Sequence, residues 1–157
     1  MTTEAVVIVA AKRTPMGGFM GALSDAAATE LGATAIASAL ADTGLSDTAI
    51  DEVIMGCVLP AGLGQAPARQ AMLKAGLARS TGATTINKVC GSGLKAAMLA
   101  HDLIKAGSIN SAVAGGMESM TNSPYFIPKA RGGMRMGHGE IKDHMISDGL
   151  EDAYDNK

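Results

Sequence analysis

Aromatic side chains are nearly missing: 157 residues hold two Phe, two Tyr and no Trp. A core must therefore be built from Ala, Val, Ile, Leu and the 11 Met, a residue that fills irregular gaps. Cysteine is scarce as well. Cys57 and Cys90 are too few for the disulfide framework of a small secreted domain. Charge of either sign is not in excess, with a formal net charge of −2, so nucleic acid or an anionic membrane surface is not an expected partner. No apolar run approaches the roughly 20 residues that cross a bilayer. Val6-Val7-Ile8-Val9 is short and leads into Lys12-Arg13, unlike a secretory leader. A soluble cytoplasmic protein is expected.

What is present is punctuated by 20 Gly. Apolar runs at 5–10, 53–59 and 111–115, with the β-branched run 84–89, predict four strands buried on both faces. Ala-rich or amphipathic stretches lie between them. Residues 26–43 end at Gly44, a stretch opened by Pro67 ends at Gly76, and a third reaches Ala106 before Gly107, each a natural helix stop. Strands alternating with helices predict an α/β fold, mostly parallel, with helices on both faces. Periodic burial fades after Ser119, so an α/β domain is expected over 1–119 and the start of a loop-rich domain over 120–157. Within this frame Cys57 reads as a core thiol inside the second strand and Arg13 as a loop-stabilising donor. His101 reads as packed or solvated. His138 and His144 read as solvated, since no third ligand stands near at a metal-binding spacing. Lys129, Arg131, Arg135 and Lys142 read as a solvated face.

The chain is organised around Ile86-Asn87-Lys88-Val89-Cys90-Gly91-Ser92-Gly93-Leu94-Lys95. It predicts a strand end, a tight turn and a helix start at Cys90. Free N–H groups and the helix dipole favour negative charge there, which suits a nucleophilic thiolate. Gly91 and Gly93 lack Cβ atoms and leave room for a substrate to approach the turn. Two other readings stand beside this one. A lone cysteine is often a small buried apolar residue. Gly91-Ser92-Gly93-Leu94-Lys95-Ala96 also fits a dinucleotide fingerprint, with Glu118 as a ribose-binding acid.

Asn87-Lys88-Val89-Cys90-Gly91-Ser92-Gly93-Leu94 resembles the acyl-enzyme cysteine motif of the thiolases. Arg13-Thr14-Pro15, Gln65-Ala66-Pro67-Ala68-Arg69-Gln70, Gly115-Gly116-Met117-Glu118-Ser119-Met120 and Asp148-Gly149-Leu150 resemble thiolase segments in the same order. Ala97 departs, being smaller than the aliphatic residue usual there, and the chain is well under half a thiolase in length. The resemblance implies a thiolase-like fold and acyl transfer between acyl-CoA thioesters, of the type that joins two acetyl-CoA or cleaves acetoacetyl-CoA. It makes Cys90 the nucleophile, with its backbone N–H in an oxyanion hole, and Leu150 a contact for the pantetheine arm. It implies coenzyme A thioester as substrate, with no separate cofactor and no metal. It also implies a homo-oligomer, dimeric or tetrameric, in fatty acid metabolism. The activating histidine, second cysteine and water-positioning asparagine of the family would come from a C-terminal part, on the same gene product or a second chain. The alternatives are a longer-chain 3-ketoacyl-CoA thiolase, a dinucleotide-binding domain, and a non-catalytic fragment.

Overall fold

The computed structural model describes residues 5–155; the expectations touching residues 1–4 and 156–157 lie outside them. Three parallel strands form the main sheet: β1 (Glu52–Gly56), β2 (Gly82–Ile86) and β3 (Ala112–Gly116), in the order β2-β1-β3. Register runs from Glu52 opposite Gly82 and Ala112 to Gly56 opposite Ile86 and Gly116. Helices α1 (Ala28–Thr43), α2 (Pro67–Lys74) and α3 (Ser92–Lys105) connect and cover it.

Strand alternation divides the core between the two faces. On one face Val53 and Met55 of β1 meet Ala28 and Ile36 of α1 and Ala68, Ala71 and Met72 of α2, with Cys57 and Met117 alongside. On the other Ile54 meets Ala96 and Ala100 of α3. The sheet is thus α/β with helices on both faces, as its apolar runs predict. Local chemistry marks each helix. Glu30 reaches back to accept from the Ala27 N–H at 3.0 Å, and Gly44 closes α1 at φ 65°, a conformation that costs glycine least. Pro67 occupies the first turn of α2, where its missing N–H is no loss.

The strand expected over 5–10 does not form. Val7, Ile8 and Val9 are 69%, 90% and 70% exposed, and among the described residues the segment joins no sheet. Its β-branched sequence suits a strand, yet a strand exists only against a neighbour. Lys12 pairs with Asp42 at 2.7 Å, a surface contact of modest worth. The strand carrying Cys57 is also shorter than expected. It stops at Gly56, though the Cys57 N–H still donates to the Ile86 carbonyl at 3.0 Å.

After Ser119 the elements are short. A two-stranded antiparallel ladder joins β4 (Tyr125–Phe126) to β5 (Lys142–Asp143), and a π-turn spans Ile146–Leu150. Three contacts reach back across the chain. The Met20 N–H donates to Thr121 Oγ1 at 2.9 Å, and Asn122 Nδ2 donates to the carbonyls of Ser24 and Ala26 at 2.8 and 3.1 Å. No helix among the described residues is long and apolar enough to cross a membrane.

Where the sheet begins, Asp51 accepts from the backbone N–H groups of Asn110 and Ser111 at 2.7 and 3.2 Å. These bonds hold its carboxyl below its ordinary value of 3.8, because they favour the charged form. A lowered carboxyl pKa stabilises the fold above the unfolded value and ceases to do so as pH falls through the folded one. Asp51→Asn is therefore expected to melt lower than the parent at pH 7, with the gap closing as pH drops below about 4. Thermal melts across pH check this; a gap independent of pH contradicts it.

Candidate active site

The three strands end on a shared cavity of about 500 Å³. Gly56, Val58 and Leu59 contribute from the end of β1, and Gly116, Met117 and Glu118 from the end of β3. The turn after β2 adds Val89 and Cys90 and the first turn of α3 adds Ser92 and Gly93. Arg13 and the Gly149-Leu150 end of the π-turn also border it. The carboxyl end of a parallel sheet is where α/β folds bind ligands, since connections leave toward opposite faces there.

Cys90 is exposed and stands two residues ahead of α3, whose N-cap is Gly91. The helix thus begins later than its sequence suggests. The intervening turn is held from several sides. Ser92, 4% exposed, accepts from the Lys88 N–H at 2.8 Å and donates to the Val89 carbonyl at 2.6 Å. Asn87 Oδ1 accepts from the Val89 N–H at 2.8 Å, and the Gly91 N–H donates to the Lys88 carbonyl at 3.0 Å. Val89 has φ 46°, a left-handed conformation that is strained for a β-branched residue and is met where function fixes a backbone. No glycine signal announces it; the positive φ lies on Val89, while Gly91 sits at φ −85°. Gly93 borders the cavity and Gly91 does not. A Cβ on Gly93 would stand 3.6 Å from the Gly116 nitrogen, so its smallness also serves packing against β3. Gly56 matters more: a Cβ there would fall 2.5 Å from Ser92 Cβ and 2.8 Å from its carbonyl carbon.

Glu118 is the functional-looking residue whose sequence context misleads. Its carboxylate accepts from the N–H groups of Val58 and Leu59 at 2.8 and 3.0 Å. It therefore clips the end of β1 to the end of β3 and shapes the cavity wall. Those bonds commit the carboxylate to holding the two strand ends together. β2, which leads into Gly91-Ser92-Gly93, is an edge strand. Both features count against the dinucleotide reading. Cys57 is buried and donates to Glu118 Oε1 at 3.7 Å. Burial first, and then the Glu118 charge, push its thiol up to about 12. It remains a core thiol.

Of the other residues singled out, Arg13 borders the cavity. His101 is solvated beside Asp102 at 3.0 Å, and the four basic residues of the last segment are exposed. His138 is exposed, but His144 is not solvated as expected. It is 7% exposed and its Nδ1 lies 2.6 Å from Asp148 Oδ2. Pairing within one helical turn buries a ring whose polar sequence surroundings suggest exposure. Among the described residues no three metal-ligating side chains converge.

A sequence profile described as the N-terminal domain of thiolase matches residues 6–157. The chain belongs to the thiolase family. It is similar to acetyl-CoA acetyltransferase 2 of Arabidopsis thaliana, 52% identical over 151 residues, which are 96% of this chain and 38% of that protein. Acetyl-CoA acetyltransferases of Allochromatium vinosum and Escherichia coli are 54% and 52% identical over 153 and 145 residues, covering 98% and 92% of this chain and 39% and 37% of theirs. The chain spans under two fifths of the length of these curated relatives.

Proposed function

We propose that this chain supplies the nucleophilic part of an acetyl-CoA C-acetyltransferase. In this reading Cys90 Sγ attacks the carbonyl of an acyl-CoA thioester, coenzyme A leaves as its thiolate, and the acyl group stays on sulfur. The Cys90 backbone N–H serves as one oxyanion donor, stabilising charge that develops in the transition state. Leu150 lies against the pantetheine arm, and Gly93 leaves room at the turn. The activating histidine, the base for the second step, the water-positioning asparagine and the other oxyanion donor come from the remaining part of the enzyme. Coenzyme A thioester is substrate rather than cofactor. The assembled enzyme is read as a cytoplasmic homo-oligomer serving fatty acid metabolism.

The observation that carries the reading is the placement of an exposed thiol, on a strained and cross-braced turn, in a cavity at the carboxyl ends of three parallel strands. Relatives named for acetyl-CoA support the short acyl group over the longer-chain alternative. Leu94 and Met98, 72% and 51% exposed on α3, support the need for the remaining part. The sequence of that helix predicts cover on more than one side, and within this chain the Leu94–Met98 side stands open.

Alkylation tests the reading. At pH 8 a thiol with pKa near 12 is about one part in 10⁴ thiolate, and Cys57 is buried besides. Brief iodoacetamide treatment is expected to label Cys90 and spare Cys57, and acetyl-CoA is expected to slow the labelling. Peptide mapping reads both. Labelling of Cys57 first, or no protection by acetyl-CoA, contradicts the reading.

A further inference from the structure

The π-turn Ile146–Leu150 carries one wall of the Cys90 cavity, through Gly149 and Leu150. Its carboxyl end is closed by the Glu151 N–H, which donates to the Ile146 carbonyl at 2.8 Å. A side-chain pair fastens it to the element before it. His144, just after β5, is 7% exposed and bonds through Nδ1 to Asp148 Oδ2 at 2.6 Å. His144 is itself fixed, since its N–H donates to the Pro124 carbonyl at 3.1 Å and Phe126 meets its ring edge-on at 6.5 Å between centroids. Its Nε2 is buried with no partner among the described residues, so the ring's hydrogen bonding is spent on Asp148. On the far side, Gly149 sits so near Leu59 that an added Cβ would come 3.1 Å from Leu59 Cδ2. The turn is wedged between β4–β5 and the cavity wall.

We infer that His144 is a positioning residue: its bond to Asp148 holds the π-turn so that Leu150 forms the cavity wall facing Cys90. The inference rests on the acyl-CoA reading for its consequence, because Leu150 is the surface offered there to the thioester's arm. A group that sets a substrate-facing wall acts on binding of substrate and transition state alike. Its removal raises KM and leaves kcat near its value.

The test uses the protein as expressed with its complete natural sequence, assayed for thiolysis of acetoacetyl-CoA. His144→Phe keeps a ring of similar breadth and removes the Nδ1 donor. It is expected to raise KM about three- to ten-fold, the effect of withdrawing part of one apolar side chain from the substrate, with kcat changed less than about two-fold. His144→Asn places an amide donor near the Nδ1 position and is expected to recover most of that loss. Leu150→Ala raises KM by itself, and the His144→Phe/Leu150→Ala double variant is expected to be no worse than Leu150→Ala alone, because both remove one wall. A general loss of stability would instead be additive and would not be rescued by Asn. Amide exchange over 146–151 provides a readout that needs no activity: it should speed up in His144→Phe and Asp148→Asn, and return in His144→Asn. An unchanged KM, additive effects, or unchanged exchange overturns the inference. If the parent enzyme shows no thiolysis, the acyl-CoA reading fails, and the exchange experiment alone decides whether the latch exists.

Discussion

Cys90→Ala, made in the protein with its complete natural sequence, is expected to abolish transfer of a labelled acetyl group from acetyl-CoA to the enzyme. Turnover of acetoacetyl-CoA should fall by about 10³-fold or more, the scale met when a covalent nucleophile is deleted. The size of the effect follows from the proposed role of Cys90: in that reading, without the thiol no acyl-enzyme forms and the reaction must proceed in one harder step. Stability should hardly change, within about 0.5 kcal/mol, because the side chain is exposed and leaves no cavity behind. Mass spectrometry of the acetylated peptide and a denaturant melt provide the two readouts. Substantial acetylation of the variant, or turnover near that of the parent, would show that another group attacks.

The second large effect is expected at Gly56. Its neighbours Ser92 Cβ, Ser92 C and Gly93 N lie 2.5, 2.8 and 3.0 Å from where a Cβ would stand. Two of the three are backbone atoms in the first turn of α3, so no rotamer change relieves them. Gly56→Ala must push α3 off β1, at a cost of about 1–3 kcal/mol. Ser92 would move with it, and Ser92 is the residue that braces Lys88 and Val89 around Cys90. Acylation should therefore slow even under conditions where the variant remains folded. Gly93→Ala is the control: its Cβ would meet β3 at 3.6 Å. That is ordinary contact and should cost less than about 1 kcal/mol. Urea titrations of the two variants decide it. Equal stabilities would mean that the close approach of α3 to β1 is not what Gly56 provides.

Much of the fold is legible in the sequence because local and global signals agree. Gly44 ends α1, Pro67 opens α2, and the apolar residues of β1 are flanked by helices on both faces. Cys90 stands out because a strand end, a turn and a helix start surround it. The segment 5–10 misleads, since residue type reports fitness for a strand and not the presence of a partner. Val89 gives no sign of its left-handed backbone, because the hydrogen bonds that hold it come from Asn87 and Ser92 and not from its own side chain. Glu118 and His144 mislead for one shared reason. What each does depends on contacts the residue type does not announce, the Val58 and Leu59 N–H groups in one case and Asp148 together with a packed Phe126 ring in the other.

The contacts of residues 20–26 with residues 121–122 carry a kinetic consequence. Met20 and Thr121 are 101 positions apart, and Asn122 reaches Ser24 and Ala26 across 98 and 96. Closing so long a loop costs entropy before any bond repays it, although the cost grows only with the logarithm of length. Parallel strands add their own long closures, and such topologies fold slowly. During synthesis residues 20–26 would leave the ribosome about a hundred residues ahead of these partners, about 5–20 s earlier at ordinary rates of elongation. The apolar face of the Ala-rich helix meets β1 and α2 well before then, while the loop ahead of it must wait for residues 121–122 to be made.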